Sequence, residues 1–117
     1  MIPPLSDPLI LAQFVAVLDN WNVTGYVTAK EVPLRWIADN LPGQDLRAIA
    51  KLMHDHLQAG GRPNQKRERR PEYNDRDYHY DFRLSIPGRQ RPVYIETILV
   101  DDDPSDPTIH IVSMHDA

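Results

Sequence analysis

Between residues 76 and 100 the chain reads RDYHYDFRLSIPGRQRPVYIETILV, with titratable side chains spaced two apart. His79, Asp81, Arg83 and Ser85 fall on one register; Tyr78, Tyr80, Phe82, Leu84 and Ile86 fall on the other. An extended chain sends successive side chains to opposite faces, so one side of a strand here carries an imidazole, a carboxylate and a guanidinium. Just upstream, KRERRPEY places Lys66, Arg67, Arg69 and Arg70 within five residues. On an extended backbone Arg67 and Arg69 share one face, and Lys66 and Arg70 share the other. Tyr94 follows after a turn, and His115 lies near the end of the sequence. Histidine, arginine and tyrosine converging from separate strands could cleave RNA without a metal. A base takes the 2′-hydroxyl proton, cations stabilise the charge building on phosphorus, and an acid protonates the leaving 5′ oxygen. Aromatic rings in such a surface can hold unstacked bases.

Metal chemistry finds less support. DDDPSDP at 101–107 gathers carboxylates, which hard cations bind, but lacks the glycine and twelfth-position glutamate of a calcium loop. Consecutive aspartates beside prolines also describe a solvated connection. His54, His56, His79, His110 and His115 match no zinc-ligand spacing. The two histidines of HDH point apart on a helix, because positions two apart do not share a face. No metal or other cofactor is expected.

The elements that position these residues follow from the pattern. SDPLILAQFVAVLDNW offers a cap at Ser6 and a stripe of Leu9, Ile10, Phe14, Val17 and Leu18, which predicts a first helix. TAKEVPLRWIADNLPG carries a capping box, Thr28 with Glu31; Pro33 lies deep for a helix starting there, so a turn feeding a helix from Pro33 is expected. QDLRAIAKLMHDHLQAGG places Leu46, Ile49, Ala50, Met53 and Leu57 on one stripe before Gly60 and Gly61. After Gly61 the period changes from 3.6 to 2. RPNQKRERRPEY reads as an edge strand or an ordered loop, followed by a strand over 77–86 and a type II turn at Pro87–Gly88. PVYIETILV suits a central strand, and TIHIVSM a last one. The expected fold class is α+β: one domain over 1–117, with helices in 1–61 packed on one face of a three- to four-stranded antiparallel sheet in 62–117.

A chain of 117 residues supports one modest core, and no apolar run reaches the roughly 20 residues of a membrane span. The start lacks a positively charged leader and there is no cysteine, which together favour a cytoplasmic protein. The net charge of −4 conceals segregation: residues 62–91 hold 9 basic and 5 acidic groups, while 92–117 hold no Lys or Arg and 6 acidic groups. The basic block could meet RNA or an acidic partner, or pair with the acidic tail.

The final block, VYIETILV followed by TIHIVSMHDA, resembles the last two strands of RelE-superfamily toxins, especially the MqsR type of mRNA interferase. On that likeness Tyr94 matches the active-site tyrosine, and His115 stands where the family carries a terminal lysine. His79 or Tyr80 takes the polar catalytic position on the preceding strand, and the run around Lys66 and Arg67 matches the first catalytic lysine region. The resemblance implies a toxin–antitoxin endoribonuclease acting on free or ribosome-bound mRNA and restrained by a protein antitoxin. Its catalytic set is His79, Tyr80, Arg83, Tyr94 and His115, with Lys66, Arg67, Arg69 and Arg70 on RNA. Two other readings fit the residues. The stretch 27–57 has a helix–turn–helix rhythm, with Arg35, Arg47 and Lys51 available to duplex DNA and the basic hairpin as a wing. Alternatively, the acidic tail could occupy a basic site on another protein.

Overall fold

The computed structural model describes residues 4–73, 76–100, 103 and 105–117. The first helix, α1, spans Pro8–Leu18. Its cap is Asp7 rather than Ser6: the carboxylate accepts from Leu9 N at 2.9 Å, and Pro8 follows at the first helical position, where a missing N–H costs nothing. Strand β1 is only Val27–Ala29. Thr28 therefore lies in a strand and makes no capping box; its hydroxyl hydrogen-bonds His110 Nδ1 at 2.8 Å. Helix α2 then runs Glu31–Asn40. It starts ahead of Pro33 because a first-turn proline removes an N–H that had no intrahelical acceptor.

Helix α3, Leu46–Gln58, buries the expected stripe through Ile49, Ala50 and Met53, and Asp45 caps it by accepting from Ala48 N at 2.8 Å. Gly60, at φ 91°, takes the left-handed position that ends it. The remaining strands are β2 Asn64–Arg67, β3 Tyr78–Leu84, β4 Val93–Val100 and β5 Thr108–Asp116. A short 3₁₀ turn, Pro71–Tyr73, separates β2 from β3. Between β3 and β4, Gly88 sits at φ 85° and Arg89 N donates to Ile86 O at 3.1 Å, as the turn chemistry at Pro87–Gly88 requires. Of the acidic connection at 101–107, positions 101, 102 and 104 lie outside the described residues.

The sheet has five strands in the order β1-β5-β4-β3-β2, and its neighbours are antiparallel except for β1 on β5. The expected three or four strands omit β1. Three residues are too few to show alternation, and its partner lies 82 positions away. The helices cover one face. Phe14, Val17, Ile37, Ile49 and Met53 pack there against Tyr80, Phe82, Val93, Ile95, Ile109 and Ile111. Thr97 is polar within this layer and fully buried; its hydroxyl donates to Tyr80 O at 2.7 Å. Among the described residues, no helix is long and apolar enough to cross a membrane.

One irregularity governs the other face. Glu96 pairs with Ser113 but Thr97 pairs with Ile111, so Val112 is an extra residue on β5. His110 opposite Ile98 and His115 opposite Tyr94 consequently face the same way, although they are five positions apart. That way is outward from the helices: Ile98 and Val112 join Tyr73 in a small second cluster there.

Candidate functional site

Strand alternation puts Arg83, Tyr94 and His115 side by side across β3, β4 and β5 on the face without helices. Arg83 pairs with Tyr94, and Tyr94 with His115. The Tyr94 and His115 rings stack with centroids 4.7 Å apart and planes 23° apart. His115 is exposed, and its Nδ1 donates to the Asp116 carbonyl at 2.8 Å. In the neutral ring this leaves Nε2 with the lone pair, as a proton acceptor. Arg83 is exposed and has no ion pair or hydrogen bond among the described residues. Burial pushes the Tyr94 phenol up, and the facing Asp81 carboxylate and then the Glu96 charge push it further. The phenol is held protonated, with its hydroxyl toward the Asp81 carboxylate.

One step along the same face lies a linked set of charges. Arg70 bridges two glutamates: it bonds Glu68 Oε2 at 2.8 Å through Nη2 and Glu96 Oε2 through Nη1. Glu96 Oε1 turns the other way, 3.5 Å from His79 Nδ1, which also bonds Asp81 Oδ1 at 2.9 Å. Apart from Arg70, whose side chain is 34% exposed, the set is nearly dry, with side-chain exposures of 1% for Glu68, 3% for Asp81, 6% for His79 and 13% for Glu96. The hydrogen bond from Arg70 dominates at Glu68 and lowers its pKa to about 2. The two glutamates in turn hold the guanidinium charged. Lys30 and Arg70 both lie over the Tyr73 ring, 4.7 and 4.9 Å from its centre. At the β1 end of the face, burial and then the Lys30 charge lower the pKa of His110, favouring the neutral imidazole that meets Thr28.

Of the residues expected to do chemistry, His79, Arg83, Tyr94 and His115 share this face. Tyr80 does not. It is on the apolar register, buried under α1, with its ring edge-on to Phe14 at 5.1 Å. Of the expected RNA contacts, Lys66 pairs with His79 and faces this side, at the β2 edge. Arg67 pairs with Tyr78 on the opposite side, its guanidinium 5.7 Å from that ring. Arg69 is exposed beyond β2, and Arg70 is taken up by its two glutamates. Glu68, Asp81 and Glu96 join the site although they are absent from the residues expected to do chemistry. Asp81 stood in plain view on the register of His79 and Arg83, and Glu96 was a charge inside an otherwise apolar strand. Both signals were available.

No protein-family model matches the chain, and no curated protein or solved structure matches it. The likeness to RelE-type toxins rests on the residues alone.

Proposed function

We propose that the chain is a metal-independent endoribonuclease of the toxin–antitoxin kind, cleaving mRNA on the face that carries Arg83, Tyr94 and His115. The observation supporting it is the direct register of those three side chains across adjacent strands. His115 Nε2 takes the proton of a ribose 2′-hydroxyl, and the 2′ oxygen attacks phosphorus. Arg83, unpaired among the described residues, stabilises the negative charge that accumulates on the phosphoryl oxygens. As the P–O5′ bond breaks, the Tyr94 hydroxyl donates toward the departing oxygen, an alkoxide more basic than phenolate. The products are a 2′,3′-cyclic phosphate and a free 5′-hydroxyl. His79 sits below this row, tied to Asp81, and shapes the surface without reaching the substrate. Lys66 and Arg69 extend the phosphate path toward the β2 edge.

On this reading the protein works in the cytoplasm on free or ribosome-bound mRNA, with a protein antitoxin holding it in check. The duplex-DNA alternative gains less support. Arg35 is paired with Glu31 and Lys51 with Asp55 along their own helices, leaving Arg47 as the remaining candidate. The test is incubation with labelled RNA in EDTA, with and without ribosomes. Cyclic-phosphate ends are expected in at least one condition; intact RNA in both would sink the proposal.

A further inference from the structure

We infer that His79, Asp81 and Glu96 form a binding site for a divalent transition-metal cation of the zinc or manganese class. It does not depend on the nuclease reading, because the reaction proposed above uses the neighbouring row and calls on no metal.

Geometry is the first ground. One ligand atom from each residue lies within 4.8 Å of the others, and two edges of the triangle measure 2.9 and 3.5 Å. A cation bound about 2.0–2.2 Å from nitrogen and oxygen needs its ligands roughly 3.5 Å apart. Small side-chain rotations reach that arrangement. The division of labour at Glu96 favours it too: Oε2 is held by Arg70, which Glu68 steadies from behind, while Oε1 is turned toward His79. Arg70 thus orients the carboxylate and leaves its other oxygen available, as partners of metal-binding carboxylates do.

The second ground is an orphaned atom. Asp81 is 97% buried by its side-chain exposure of 3%, yet its Oδ2 has no hydrogen-bond partner among the described residues. A buried polar atom left unpaired costs about 1–3 kcal/mol, and more when charged. The Tyr94 hydroxyl comes near enough to feel the Asp81 carboxylate without satisfying that oxygen.

Charge is the third ground. Three carboxylates meet one guanidinium and one imidazole here, so with neutral His79 the set is short by two positive charges. A dication supplies both. The imidazole nitrogen selects against calcium and magnesium, which take oxygen ligands, and favours zinc, manganese or cobalt.

Titration of the native protein with Zn²⁺, Mn²⁺ and Co²⁺ by calorimetry should give saturable 1:1 binding, at least tenfold tighter than Mg²⁺ or Ca²⁺. Bound Co²⁺ should show visible absorption bands. Glu96→Gln and His79→Gln should each weaken binding at least tenfold, while His115→Ala leaves it unchanged. Asp81→Asn is the sharpest variant; should it fail to fold, the other two and the Co²⁺ spectrum decide. Absence of saturable binding to the folded protein overturns the inference. So does binding that survives Glu96→Gln and His79→Gln intact, or that is lost in His115→Ala.

Discussion

Tyr94 and His115 face each other across β4 and β5, their rings stacked 4.7 Å apart, and the backbone of Asp116 fixes which imidazole nitrogen carries hydrogen. A phenol held protonated therefore lies against an imidazole whose Nε2 is presented to solvent. Replacing His115 by Ala should lower RNA cleavage by about 10²-fold or more, the usual contribution of a positioned base. Because the side chain is exposed, the urea midpoint should stay put. Unchanged cleavage by a folded H115A protein would remove His115 from the reaction.

Arg83 and Arg67 make a matched comparison, since both are cationic and lie on opposite faces of the sheet. Arg83→Ala should weaken RNA binding and reduce the slope of log affinity against log salt by about one, the signature of a lost phosphate contact. Arg67→Ala should leave the slope alone. Equal effects would mean that RNA does not select a face. Fluorescence anisotropy at several salt concentrations measures both.

Glu68 links the charged set to acid stability. Its pKa falls from the ordinary 4.5 to about 2 in the folded chain, chiefly through the Arg70 hydrogen bond. A depressed carboxylate stabilises the fold fully above pH 4.5, and that contribution is lost as pH drops toward 2. Glu68→Gln should thus cost about 2 kcal/mol at pH 7, with the gap to the parent protein narrowing below pH 4.5. Urea unfolding at pH 7, 5 and 3 follows the gap; a constant difference would contradict the linkage.

His110 should titrate below the ordinary histidine value of 6.5, because burial and then Lys30 disfavour its charged form. The folded state therefore binds fewer protons than the unfolded one, and stability falls as pH drops below 6.5. Lys30→Met should lift the His110 titration partway back, leaving the burial contribution in place. An NMR titration of the ring protons reads the shift directly. No movement would assign the whole effect to burial.

Periodic elements were legible before any coordinates. The α3 stripe and the β3 alternation each repeat often enough to declare a face, and Pro87–Gly88 announces its own turn. What stayed hidden was set by long-range pairing. Strand β1 exists because Val27–Ala29 finds β5 at the far end of the chain. The second hidden feature is the meeting of Glu68, Arg70 and Glu96, three charges brought together by a 3₁₀ turn and two strands. Family likeness also pulled Tyr80 toward catalysis, against the alternation that already assigned it to the core.

Val112 sets the parity of the end of the chain. Deleting any one residue between His110 and Ser113 restores an unbroken two-residue rhythm in which His110 and His115, then four positions apart, still face the same way. Pairing the full-length strand without its bulge would instead push Met114 into water and His115 toward the helices. The kink is thus a tolerance built into the strand: it carries one surplus residue while the terminal imidazole keeps its outward aspect, and a single deletion there is absorbed by straightening.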